Sequence, residues 1–195
     1  MPTDAGELRR RLVHLAGTAF PLGFLLARQA GHGEVGWQAL QALLAVGSAV
    51  ALLLEALRLG GLLHLSIYDD LIRDYEEDYL AGYAIYLIGM TAAAVVFEAQ
   101  IAVPAMLMLT VGDPISGMLS AGGLSKQLSV LAVMFGVCLA LALPFLPPLA
   151  AVAGAAVAAV ADGVKPVLWT YVIDDNLTIP IGAATAMWAV LVFGP

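Results

Sequence analysis

Residues able to handle phosphate or a divalent cation occur in three groups along this chain of 195 residues. The first is Glu7-x-x-Arg10-Arg11-x-x-His14, whose spacings of three, four and seven put all four side chains along one helical face. A basic anchor would need only the arginines. The aligned glutamate and histidine point to function, and arginines bind polyphosphate in bidentate fashion. The second group is Gly112-Asp113-Pro114, which reads as a turn after a short apolar helix. With Ser116, Gly117, Gly122 and Gly123 behind it, this loop could bring backbone N–H groups to phosphate. It is not a P-loop, because the closing Lys-Ser/Thr is absent. The third is Asp174-Asp175-Asn176-Leu177-Thr178-Ile179-Pro180, paired carboxylates and an amide just before a helix with proline in its first turn. Capping that helix takes one such residue. Oxygen ligands of this kind suit Mg²⁺, which one or two carboxylates hold together with substrate phosphates. Asp162 and Lys165, three apart, are expected to share a helix face upstream, where Lys165 could neutralise phosphate.

The composition says what must position these groups. Hydrophobic residues make up 62% of the chain and charged residues 12%, against roughly 45–50% and 25% in soluble domains. Mean hydropathy is +0.94. A water-soluble globule of this size could not hide so much apolar surface, and disorder is excluded by the same numbers. With eight Lys+Arg against fifteen Asp+Glu, the net charge of −7 argues against nucleic-acid binding. The single cysteine, Cys138, rules out an intrachain disulfide framework and reads as a small core or lipid-facing hydrophobe.

Stretches free of Asp, Glu, Lys and Arg run Leu12–Ala27, Val35–Leu54, Tyr79–Phe97, Ala99–Gly112, Gln127–Ala161 and Asn176–Pro195. A bilayer crossing takes about 20 apolar residues. The fifth stretch therefore holds two helices, divided at Pro144, Pro147 and Pro148. The expectation is an all-α polytopic membrane protein with about seven transmembrane helices, forming one integral-membrane catalytic domain over residues 1–195. The first segment is expected to be a retained helix rather than a signal peptide, since Ala27-Arg28-Gln29 is a poor cleavage site. A cytoplasmic N-terminus places Arg9, Arg10, Arg11, Arg58, Arg73, Lys126 and Lys165 inside, leaving only Arg28 outside. The same threading brings Glu7, Glu55, Asp113, Asp162, Asp174 and Asp175 to cytoplasmic helix ends, with His14 and Asn176. Ionisable groups at membrane depth are costly and mark functional sites. The acidic stretch Arg58–Asp78 reads as a solvated connector or interfacial helix, and Glu98 as a hairpin-tip charge. His32 and His64 read as solvated. Trp37, Trp169 and Trp188 read as interfacial or lipid-facing, while Ser48 and the Gly/Ala-rich stretch Ala150–Ala161 read as helix-packing surfaces.

Taken in order, Glu7-x-x-Arg10-Arg11-x-x-His14, Gly112-Asp113-Pro114 and Asp174-Asp175-Asn176-Leu177-x-x-Pro180 resemble the dolichol kinase and phytol kinase group. Those are polytopic enzymes that phosphorylate long isoprenoid alcohols, typically from CTP, and are related to phosphatidate cytidylyltransferases. The chain departs from that group after the Gly-Asp loop. Ser120–Gln127 offers Gly122, Gly123, Ser125 and Lys126, but not the glutamate of the group's Lys-Ser-x-Glu-Gly-like element.

The resemblance implies a CTP-dependent polyprenol kinase, with the alcohol presented from the bilayer and the nucleotide from the cytoplasm. Phosphoryl transfer asks the protein for positioning, charge neutralisation and a proton acceptor. On this reading Asp174 and Asp175 serve Mg²⁺ or the alcohol proton, and Asp113 is a further metal ligand. Arg10, Arg11, His14 and Lys165 hold phosphates together with Gly112, while Asn176 orients a phosphate or the metal. The alternative within the same chemistry is a cytidylyltransferase forming a CDP-lipid. A transporter, from another class, would carry its acids near the bilayer midplane.

Overall fold

The computed structural model describes residues 11–64, 72, 76–119, 124–164, 166–169 and 171–194. After a helical stretch at 11–16 come α1 (Ala19–Gln29), α2 (Gly33–Leu59), α3 (Gly82–Val96) and α4 (Ala99–Leu107). A π-helical turn, Met108–Gly112, then leads into α5 (Asp113–Leu119), followed by α6 (Leu124–Ala142), α7 (Pro148–Gly163) and α8 (Asp175–Phe193). Between α7 and α8 lies a two-strand hairpin, β1 (Val167–Leu168) against β2 (Tyr171–Val172). Among the described residues, three helices are long and apolar enough to cross a membrane: Gly33–Leu59, Ala99–Leu119 and Asp175–Phe193. Gly82–Val96, Gln127–Ala142 and Pro148–Gly163 are shorter apolar helices.

Each uncharged run becomes helical, and the breaks have local causes. The first run divides at Gly17–Thr18. Pro21 lacks the N–H that would bond the Gly17 carbonyl, which accepts from the Phe20 N–H instead. Phe97 and Glu98 adopt extended backbone, which separates α3 from α4. Pro144, which has no N–H to give the Ala140 carbonyl, follows the end of α6 at Ala142, and Pro148 sits in the first turn of α7.

The expected loop at Gly112-Asp113-Pro114 is absent. These residues lie within one continuous helix, Ala99–Leu119, widened at Met108–Gly112 to a π turn. Pro114 can neither donate to the Thr110 carbonyl nor let it approach, and a wider turn relieves both demands without ending the helix. Ser116 and Gly117 are therefore helical too, while Gly122 and Gly123 lie outside the described residues.

This helix is the centre of the bundle, with every residue from Ile101 to Thr110 buried. Antiparallel α2 and α3 are tied by Gln41 Nε2 to the Ala94 carbonyl at 2.7 Å and by Ser48 Oγ to Thr91 Oγ1 at 2.7 Å. Small residues set close approaches: Gly154 faces the Met187 side chain, and Gly89 lies directly against the Asn176 backbone carbonyl. The polarity is that of a protein in an apolar solvent. On α2, Leu43, Val46, Val50 and Leu53 are exposed along one face while Ser48 and Glu55 are buried.

Of the acids in the 58–78 connector, Asp69, Asp70 and Asp74 lie outside the described residues, Glu77 and Asp78 are exposed and Glu76 is buried, while Glu55 just before it anchors the connector. The Glu55 carboxylate is fully buried and receives Arg58 through Nε at 3.0 Å and through a second guanidinium nitrogen at 2.7 Å. The Ala81 N–H at 2.8 Å and the Tyr83 hydroxyl at 2.7 Å complete its shell. Arg58 also donates to the carbonyls of Glu76, Glu77 and Tyr79. This ion pair clamps the connector between α2 and α3; Glu76, on that connector, is buried as well.

Two outcomes test this packing. Arg58→Met strands a buried carboxylate and is expected to lower stability by about 3–5 kcal/mol, read as a fall in Tm in detergent. Glu55→Gln/Arg58→Met should recover part of that loss, because the amide still accepts from Ala81 and Tyr83. Gly89→Ala would drive a methyl into the Asn176 carbonyl, with an expected cost of about 1–3 kcal/mol from overpacking; an unchanged Tm would show that α3 and α8 are not in close contact there.

Candidate functional site

Asp113, Asp162 and Asp175 come from the central helix, from α7 and from α8, yet one carboxylate oxygen of each lies within 4.8 Å of the other two. All three sit at one end of the bundle: Asp113 and Asp162 lie toward the C-terminal ends of the central helix and α7, and Asp175 in the first turn of α8. Asp175 is buried, whereas Asp113 and Asp162 are partly accessible.

Hydrogen bonds from neighbouring helices orient Asp113 and Asp162. His14 Nδ1 stands 2.8 Å from Asp113 Oδ2. The His14 ring stacks on Tyr86 with centroids 4.8 Å apart, and the Tyr86 hydroxyl donates to the His14 carbonyl at 3.1 Å. Ser116 Oγ donates to Asp162 Oδ1 at 3.0 Å and lies 3.0 Å from the Asp113 carbonyl. Partners of this kind orient carboxylates around a bound cation. The donor set is entirely oxygen, which is the chemistry Mg²⁺ and related hard cations take.

The twin aspartates divide their labour. Asp174 is the N-cap of α8: its Oδ1 accepts the Asn176 N–H at 2.9 Å, an interaction worth about 1 kcal/mol in helices generally. The sequence expects Asp113, Asp174 and Asp175 as metal ligands; the acids whose oxygens converge here are Asp113, Asp162 and Asp175. Sequence reasoning had brought Asp162 to this end but grouped it with Lys165, which lies outside the described residues. The available signal was its isolation as the one acid in an Ala-rich helix.

Other expected site residues separate into those brought together and those elsewhere. Arg11 lies close to Gly117 on α5, so the basic segment does reach the trio's end of the bundle. Glu7 and Arg10 lie outside the described residues. Gly112 faces Met134 and Cys138, at about the distance where an added Cβ would crowd both sulfurs. Its lack of a side chain is thus explained by packing against α6, not by an open phosphate loop. Cys138 is buried. Asn176 is buried beside Asp175; its Nδ2 is 3.5 Å from the Gly82 carbonyl, and its Oδ1 has no hydrogen-bond partner among the described residues. Glu55 belongs to the Arg58 clamp.

No protein-family model matches this chain, and no curated protein or solved structure matches it.

The trio predicts a specific pattern in Mn²⁺ titrations followed by electron paramagnetic resonance. Asp162→Asn is expected to weaken binding sharply, and His14→Ala to weaken it about 10–100-fold, the usual effect of removing an orienting partner. Wild-type affinity in Asp162→Asn would remove α7 from the site.

Proposed function

We propose that this chain is a multi-pass membrane kinase that transfers the γ-phosphoryl group of a nucleoside triphosphate, CTP by resemblance, to a long-chain isoprenoid alcohol. The observation that carries this reading is the convergence of Asp113, Asp162 and Asp175, with His14 bound to Asp113, at one end of an apolar bundle. A polyprenol stays in the bilayer and a nucleotide stays in water, so their reaction belongs where helix ends meet solvent. The order of motifs that resembles the dolichol kinase group supports the same assignment.

Seven spans with a cytoplasmic N-terminus accompany this proposal. The described Arg11 and Arg58 lie at the carboxylate end, and Arg28 ends the α1 helix on the other side. This is the asymmetry expected if the carboxylate end faces the cytoplasm.

In the reaction, the alcohol oxygen attacks the γ-phosphorus while the bond from that phosphorus to the bridging oxygen breaks, releasing the nucleoside diphosphate. The alcohol proton passes to a carboxylate of the cluster. Mg²⁺, when bound, supplies neutralisation of the phosphate charge. Asp113, Asp162 and Asp175 would hold it, with His14 and Ser116 fixing the first two. Arg11 contributes a guanidinium for phosphate oxygens, and the buried Asn176 Oδ1 offers an acceptor beside Asp175.

The test uses purified protein in lipid nanodiscs with CTP labelled at either the α- or the γ-phosphorus and a panel of prenols. γ-Label in the lipid is the expected result, reduced about 10²–10³-fold in Asp175→Asn, the usual scale for losing one preorganised electrostatic group. α-Label in a phosphorylated lipid, with pyrophosphate released, would make the protein a cytidylyltransferase instead. Absence of both labels from every lipid would overturn the phosphotransferase reading.

A further inference from the structure

Trp169 is the most exposed large apolar side chain among the described residues, at 97%. It directly follows β1 at the turn of the β1–β2 hairpin, where Val167 pairs with Val172 and Leu168 with Tyr171. The Ile173 N–H to the Pro166 carbonyl, at 2.8 Å, extends the pairing by one more bond. Trp169 has φ of +58°. Two-residue hairpin loops demand positive φ and favour Asn or Gly; a residue with a Cβ in that region costs about 1–2 kcal/mol. Neither backbone preference nor burial therefore accounts for a tryptophan here.

The surroundings indicate what the indole meets. Val157 and Val160 are exposed on the flank of α7, and Val164 and Val167 continue the exposed apolar run onto the connector leading to Trp169. The flank of an apolar bundle faces acyl chains, and this run leaves it at the end of α7, where the flank meets the surface. Indole rings favour that depth, with the apolar ring in the acyl boundary and the N–H among headgroups.

We infer that the hairpin 167–172 is a membrane-interface anchor, with Trp169 seated at the headgroup boundary of the bilayer that holds the bundle. The hairpin joins the end of α7 that carries Asp162 to the start of α8 that carries Asp175. Anchoring it fixes the level of the carboxylate trio relative to the surface at which a lipid hydroxyl would be presented. The inference rests on the reading of the chain as a membrane protein.

The test is fluorescence of the full chain in phosphatidylcholine vesicles, with the Trp169 component taken as wild type minus Trp169→Ala. A Trp37→Phe/Trp188→Phe variant, which keeps Trp169, gives the same signal independently. The expected result is blue-shifted Trp169 emission, quenched by phosphatidylcholine brominated near the headgroup end of its chains and shielded from aqueous iodide. Quenching by iodide but not by bromolipid would overturn the anchor and leave the hairpin in water or to a soluble partner. Shielding from both would overturn it in favour of a second copy of the chain. Release of the whole protein by alkaline washing would overturn the membrane reading itself, and the anchor with it.

Discussion

Like charges resist close approach, yet the fold brings one carboxylate oxygen each of Asp113, Asp162 and Asp175 within 4.8 Å of one another. Each acid has a different compensation. Asp175 lies in the first turn of α8, at the positive end of the helix dipole. Asp113 has no free helix end, because the central helix continues through it, and it has His14 instead. Asp162 lies at the C-terminal end of α7, where the dipole is unfavourable, and it accepts the Ser116 hydroxyl. The His14 and Ser116 contacts orient the oxygens of Asp113 and Asp162.

Holding the acids in register requires helices that approach closely and do not slide. Glycines provide the first condition: Gly89 against the Asn176 carbonyl, Gly154 against Met187, and Gly112 against Met134 and Cys138. Without hydrophobic sorting between helix and lipid, such contacts carry much of the specificity of packing. The Glu55–Arg58 pair supplies the second. Its hydrogen bonds span α2, the connector and the start of α3, and α3 in turn meets the start of α8 through Gly82 and Asn176. The clamp therefore acts on the helix that bears Asp175 although it touches none of the trio.

The π turn ties the buried centre to this polar end. Pro114 would ordinarily end or kink a helix. Widening the preceding turn lets the backbone run from the apolar stretch Ile101–Leu109 directly to Asp113. A carboxylate is thus placed on the axis of the bundle by a rigid element, with no loop intervening.

The sequence by itself determined most helical segments, since uncharged runs and prolines are local properties: Pro144, Pro147 and Pro148 mark one division. At Phe97–Glu98, by contrast, the single charge of Glu98 is the sole local sign and no strong turn former stands there. It also determined that Asp113, Asp162 and Asp175 share one end, because that follows from counting reversals of direction. What it left open was the azimuth of each helix and the path of each connector. Asp174 and Asp175 are equivalent as text, yet one caps its own helix and the other turns to its neighbours. Glu55 looks like a site acid until Arg58, Ala81 and Tyr83 surround it. Only tertiary structure decides such cases, because a carboxylate acts through distances of a few ångströms, and those depend on how whole helices rotate and press against one another.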